Sequence, residues 1–166
     1  MEPLRKLKWM VGPYIPFAYE LYSDSYISLN YHYFVHEAGH AVLNEHLGYA
    51  VQSVEIKGEN GVTTAAPSQD NAHRIVIAYA GVVASRRVID EVATREWASH
   101  DFWEIHHIFD GMAMRPEEWH SLNQTHEATC EGIIDQRWEQ VEAIASALAI
   151  KRCLLGEEVR AIIEQT

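Results

Sequence analysis

The stretch His36-Glu37-Ala38-Gly39-His40 constrains this chain more than any other part of its sequence. Each residue of an α-helix turns by about 100°, so His40 lies about 40° around the helix from His36 and one turn along it. Both imidazoles can therefore reach one ion, and histidine nitrogen is a common zinc ligand. Glu37 projects beside that ion, where its carboxylate can act as general base towards water. The stretch predicts a helix that carries a hydrolytic zinc site.

The same pentapeptide also occurs in helices whose histidines are only solvated or capped. Two local features favour the metal site. Ala38 and Gly39 are small and let neighbouring backbone approach, while Val35, Ala41 and Val42 make the surroundings apolar. A glycine inside a helix costs roughly 1 kcal/mol relative to alanine, which indicates a packing or functional reason for Gly39.

Length, charge and cysteine content limit the class of protein. The chain has 166 residues, 48% of them hydrophobic, which predicts one domain with an ordinary core. Its formal charge of −11 is spread along the sequence and argues against a nucleic-acid partner. Cys130 and Cys153 match no zinc-ligand spacing, so we expect reduced thiols. No apolar run approaches the roughly 20 residues of a membrane span, which predicts a soluble, cytoplasmic protein.

Hydrophobic periodicity and turn signals predict a mostly α-helical domain at residues 31–166, after a proline- and aromatic-rich lead-in at residues 1–30. A small β-hairpin is expected after the metal-binding helix. The predicted elements are a helix from Leu29 to Leu47, strands at 51–57 and 61–65, a helix capped by Ser68 or Asp70 and continuing to Val88, a helix from Ser99 to Phe109, a long helix from Pro116 to about Lys151, and a short helix after Gly156.

A zinc site of this type needs a third protein ligand and an open position for water. His46 stands where one class of zinc peptidases places its third histidine, but that class has a turn-forming glycine where this chain has Leu43. On a continuing helix His46 points about 120° away from His40 and lies about 9 Å further along the axis. We therefore reject His46 and expect a histidine, aspartate or glutamate further downstream.

The chain resembles the peptidase domain of the FtsH-type membrane-bound AAA proteases over about residues 31 to 166. The resemblance begins in the stretch from Tyr31 to Val42, whose His-Glu-Ala-Gly-His-Ala core is close to the family motif. It implies a helical, zincin-like fold of the FtsH peptidase type. The other similar segments are Val54-Glu55-Ile56, Gly61-Val62-Thr63, Ala78-Tyr79-Ala80-Gly81, Ala98-Ser99-His100-Asp101 and Gly156-Glu157-Glu158-Val159.

The resemblance also implies a ligand set. The family's third zinc ligand is the aspartate of a Ser-Asn-Asp segment, which matches Asp101 here. This implies Zn²⁺ held by His36, His40 and Asp101, with Glu37 as general base. Competing candidates on the same predicted helix are Glu104, His106, His107 and Asp110.

The chain departs from the family pattern at several places. It contains no Walker-type Gly-x-x-x-x-Gly-Lys-Ser/Thr sequence, so we expect it to work without ATP. The family's Gly-Arg and Glu-Glu positions are occupied by Gly81-Val82 and Ser85-Arg86, and Trp97 replaces a glycine before the ligand segment.

Together these features predict a zinc-dependent, ATP-independent metallopeptidase that hydrolyses peptides or unfolded proteins. A substrate strand is expected to pair with the hairpin edge at Gly61, Val62, Thr63 and Thr64. One alternative is a catalytically silent module that retains zinc and binds a peptide or partner, and another is a peptidase subunit that needs an AAA ATPase in trans. A third is a structural helical domain with incidental histidines. A homo-oligomer also stays open, because the family's peptidase domains pack in rings.

Overall fold

The structure, a computed structural model, describes residues 24–58, 60–89, 94, 98–112 and 114–166. This part of the chain is mostly α-helical with a small antiparallel sheet of three strands, which confirms the predicted class. In chain order the elements are α1 (Asp24–His46), β1 (Val51–Lys57), β2 (Asn60–Ala65), α2 (Asn71–Ser85), α3 (Ser99–Gly111), α4 (Pro116–Gln136), α5 (Trp138–Lys151), β3 (Cys153–Leu155) and α6 (Gly156–Gln165).

α1 is the central helix of the described residues and contacts α2, α5 and the sheet. Its buried side chains include Phe34, Val35, Ala41 and Val42, so the apolar flanks of the metal motif belong to the core. The helix begins at Asp24, earlier than the predicted start at Leu29. Residues 1–23, which form most of the predicted lead-in, lie outside the described residues.

Gly39 allows α1 and α2 to approach closely. A Cβ atom at this position would lie 2.6 Å from the backbone oxygen of Ala80 and 2.8 Å from Cβ of Ala84. Such separations are too short for a side chain, so glycine is needed for this packing. The close approach is the packing reason that the sequence indicated for Gly39.

The predicted hairpin is part of a larger sheet. β1 lies in the middle and pairs antiparallel with β2 on one side and β3 on the other. β2 begins at Asn60, one residue before the predicted start. β3 was not predicted, because three residues are too few to carry a strand pattern. The buried side chain of Leu154 joins this strand to the core.

The predicted long helix from Pro116 to Lys151 is wrong in one respect: it is two helices that meet at Arg137. The backbone of Arg137 leaves the helical region, with φ −120° and ψ 21°. The physical reason is packing, because α4 lies mainly against α2 whereas α5 lies mainly against α1. No glycine or proline stands at the break, so it could not be predicted from the sequence.

The starts of α2 and α3 agree with the positions predicted from the sequence. Asp70, one of the two predicted caps, accepts hydrogen bonds from the backbone N–H groups of Ala72 and His73 at 2.8 and 3.3 Å. α2 ends at Ser85 rather than at the predicted Val88. α3 begins at Ser99 as expected and buries Asp101 in its first turn.

Two chain-wide expectations can be compared with the described residues. Cys130 is buried, Cys153 is exposed, and neither forms a disulfide. In the described part of the chain, no helix is both long enough and apolar enough to cross a lipid bilayer.

Candidate metal centre

The side chains of His36, His40 and Asp101 converge between α1 and α3. The two histidine Nε2 atoms are 3.1 Å apart. One oxygen of Asp101, Oδ2, lies 3.1 Å from His36 Nε2, and the other, Oδ1, lies 3.5 Å from His40 Nε2. Within the described ranges this is the one group of three or more histidine, cysteine, aspartate or glutamate side chains with ligand atoms close enough to share an ion, all within 4.8 Å.

The donor set fits zinc. Ligand atoms about 2.1 Å from a tetrahedral zinc ion lie about 3.4 Å apart, which is close to the separations between these three side chains. Asp101 is only 8% exposed, and its Oδ2 atom has no hydrogen-bond partner among the described residues, although His36 Nε2 lies 3.1 Å away. Burying an unsatisfied carboxylate oxygen is costly, and a cation at this position would satisfy it.

Residues of α2 orient both imidazoles through contacts with their Nδ1 atoms. Nδ1 of His40 donates a hydrogen bond to the backbone oxygen of Ile77 at 2.9 Å, which leaves Nε2 facing the site as the nitrogen that can bind an ion once it loses its proton. Nδ1 of His36 lies 3.3 Å from the hydroxyl oxygen of Ser85. Outer contacts of this kind fix the tautomer and ring orientation of metal-binding histidines.

Both imidazoles pack directly on the backbone of Gly81. A Cβ atom there would lie 2.4 Å from Cε1 of His36 and 2.5 Å from Nε2 of each histidine. Any side chain at this position would therefore occupy the space in which the ligand nitrogens converge.

Glu37 is held by β2 rather than by its own helix. Its side chain is buried, and the hydroxyl of Thr63 donates a hydrogen bond of 2.7 Å to its Oε2 atom. Gly61 lies so close that a Cβ atom there would be 2.3 Å from Cγ of Glu37. The carboxylate therefore has a defined position in the cleft that the histidines also line.

His40 and Asp101 shift each other's pKa. Burial alone would lower the pKa of His40, but the carboxylate of Asp101 outweighs it and raises that pKa to about 9. Burial would raise the pKa of Asp101, yet the neighbouring imidazoles hold it well below its usual range. A cation that binds here must therefore displace a proton from His40.

The site opens into a cleft of about 530 Å³ between α1, α2, α3 and β2. Three of the four residues predicted to bind substrate line it, namely Gly61, Val62 and Thr63, whereas Thr64 does not. β2 is an edge strand of the described sheet, and the side chain of Val62 is 59% exposed beside the cleft. Extended chains can add to an edge of this kind through backbone hydrogen bonds.

The other candidate ligands do not join the group. His46 ends α1, is exposed and does not line the cleft. Glu104 lines the cleft, but its carboxylate lies 3.6 Å from the guanidinium of Arg74. The remaining candidates lie outside the cleft lining: His106, His107 and Asp110.

The sequence did not predict three contacts of the two histidines, which involve Gly81, Ile77 and Ser85. Gly81 interrupts an apolar helical run, a pattern that signals close backbone approach. The carbonyl of Ile77 and the hydroxyl of Ser85 carry no such signal, because their roles depend on how α1 and α2 pack. Trp97, which replaces a glycine of the FtsH pattern, lies outside the described residues.

Comparisons with known proteins add no family assignment. No protein-family model matches the chain, and a comparison with curated proteins finds no match. The similarity to FtsH-type peptidase domains stays a prediction.

Proposed function

We propose that this protein is a zinc-dependent, ATP-independent metallopeptidase that hydrolyses peptide bonds in peptides or unfolded proteins. The observation that carries the proposal is the convergence of His36, His40 and Asp101 in a cleft that also contains the carboxylate of Glu37. Hydrolysis needs a metal site with an open position and a base beside it, and these four side chains supply both parts.

We also propose that the fold is of the zincin-like FtsH peptidase type. The order of the elements supports this: the helix with both histidines is followed by a pair of strands, and Asp101 comes from a later helix. The family resemblance implies the same order of metal helix, strands and ligand aspartate.

The chemistry divides between the ion and the protein. His36 Nε2, His40 Nε2 and an oxygen of Asp101 would hold the ion. When bound, zinc supplies a Lewis acid that polarises a carbonyl group and lowers the pKa of water towards about 7. The Glu37 carboxylate takes the proton of the attacking water and passes it to the nitrogen of the leaving amine. Thr63 restrains that carboxylate before substrate arrives, which lowers the cost of reaching the reactive geometry.

The substrate proposed for the cleft is an extended polypeptide. The edge of β2 offers backbone groups, and Gly61 and Thr63 also contact Glu37. A chain paired along this edge would lie beside the base and the ligand group. Because backbone pairing demands little of the sequence, unfolded segments are the expected substrates.

The test is cleavage of casein, without nucleotide, by zinc-loaded wild type and by the Glu37→Gln variant. We expect wild type to cleave and the variant to lose at least about a hundredfold in turnover, because a positioned base contributes about 10²- to 10⁴-fold. Glu164→Gln makes the same chemical change at an exposed position of α6 and should keep full activity. Zinc content is measured in all three proteins.

The outcomes separate the alternatives. If wild type and Glu37→Gln are both inert but each holds one zinc ion, the protein is a zinc-retaining binding module or needs an ATPase in trans. If tag-free wild type holds only trace metal under zinc-replete conditions, the histidines are incidental and the proposal is wrong.

A further inference from the structure

α3 carries three stacked aromatic rings on its outer face. The ring of Trp103 is stacked with that of His100, with centroids 5.9 Å apart and planes inclined by 14°. On its other side it is stacked with His107 at 5.1 Å and 5°. All three residues are exposed, and the side chain of Trp103 is 59% exposed. We call this row of rings the aromatic ladder.

The aromatic ladder continues directly from the candidate active site. His100 lines the cleft and immediately precedes Asp101, the proposed ligand. From His100 to His107 the helix rises about 10 Å, because each residue adds about 1.5 Å. An extended chain covers that distance with about three residues. A polypeptide that leaves the cleft past His100 and follows α3 would therefore pass over the ladder.

The ladder is suited to holding an apolar side chain. An exposed tryptophan offers a large apolar surface, and such residues commonly dominate binding energies at interfaces. Stacking between two imidazoles restrains the indole, so little side-chain freedom is left to lose on binding. The opposite face of α3 packs into the core, where Ile105, Ile108 and Phe109 are buried.

We propose that the aromatic ladder is an exosite that binds an apolar or aromatic side chain of an unfolded polypeptide a few residues away from the bond in the cleft. The inference rests on the proposed peptidase function and adds a preference to it. Backbone pairing along β2 admits any extended chain, whereas the ladder selects chains that carry an apolar residue at a fixed distance.

The first test compares KM values of wild type, Trp103→Ala and Trp103→Phe for casein and for peptides of six residues or fewer that span its mapped cleavage sites. In Trp103→Ala the ratio of the casein KM to the short-peptide KM should rise about tenfold, as expected for a buried aromatic anchor. Trp103→Phe keeps an aromatic ring, so its ratio should lie close to the wild-type ratio. Ile150→Ala, which truncates a half-exposed apolar side chain on α5, should leave the ratio unchanged. An unchanged ratio in Trp103→Ala would overturn the proposal.

A second measurement keeps this inference separate from the proposed chemistry. Fluorescence anisotropy of labelled casein is recorded with zinc-loaded Glu37→Gln, alone and combined with Trp103→Ala. About tenfold weaker binding in the double variant supports the exosite even if wild type cleaves nothing. Equal binding refutes it. If Trp103→Ala instead turns a dimer into a monomer in sedimentation experiments, the ladder is a contact between copies of this chain and the exosite is wrong.

Discussion

Ser85 is a position at which this chain departs from the FtsH pattern and which contacts the candidate metal centre. Its hydroxyl lies 3.3 Å from Nδ1 of His36, where the family pattern has an acidic residue. A neutral hydroxyl can hold the imidazole ring without adding a negative charge behind it. We therefore expect Ser85 to position His36 rather than to take part in the proposed reaction.

The Ser85→Ala variant should bind zinc about 10- to 100-fold more weakly than wild type, because the ring of His36 loses its outer partner. Competition with a chromophoric chelator measures the zinc Kd. Ser146→Ala removes another buried hydroxyl, on α5, and should leave the Kd unchanged. Equal zinc affinity in Ser85→Ala and wild type would show that the contact does not position His36.

At the residue scale, the sequence was informative where chemistry depends on local spacing. His36, Glu37 and His40 could be read from a helix of known pitch. Asp101 lies far along the chain, and spacing alone left it among several candidates until the family resemblance singled it out. The hydrogen bond from Thr63 to Glu37 joins a strand to a helix, so no local pattern could predict it.

At the scale of elements, two glycines define the contact between α1 and α2. Gly39 of α1 faces the backbone of α2, and Gly81 of α2 faces the two histidines of α1. The first glycine permits the helices to approach, and the second leaves room for the imidazoles. Helix packing and ligand geometry are therefore set by the same contact.

The Gly81→Ala variant should lose zinc affinity at least about tenfold, because its methyl group would meet both ligand nitrogens within van der Waals distance. Gly132→Ala is the matched control: it lies in α4 with no atom near the added Cβ, and it should be stabilised by up to about 1 kcal/mol. Zinc titration and thermal unfolding measure the two effects. Wild-type zinc affinity in Gly81→Ala would contradict the packing argument.

The elements that the sequence predicted poorly are those decided by tertiary packing. Arg137 ends α4 because the chain passes from one helical neighbour to another, and β3 exists because β1 has an edge to pair with. By contrast, α3 and the cap of α2 carry strong local signals, and the structure has them close to the predicted positions.

For the molecule as a whole, the three candidate ligands come from distant parts of the chain. His36 and His40 belong to the central helix, whereas Asp101 belongs to α3, and an ion held by all three would cross-link the two helices. Binding to the folded state alone contributes about 4 kcal/mol of stability when free zinc is a thousand times its Kd.

Removal of zinc with a chelator should therefore lower the Tm by several degrees, and scanning calorimetry with and without zinc measures the difference. The difference should shrink as the pH falls, because zinc must displace the proton that Asp101 helps His40 to retain. Asp101→Asn should show a smaller zinc-dependent shift than wild type. A wild-type Tm that does not respond to zinc would mean that the ion does not link α1 to α3.

The open edge of β2 would have a consequence for the lifetime of the protein as the proposed peptidase. A strand that recognises only main-chain groups cannot distinguish a foreign unfolded chain from an unfolded copy of its own molecule. Copies that unfold would be degraded by copies that remain folded. The proposed activity would thus include self-digestion, and the thermodynamic stability of the protein would set the rate of that reaction.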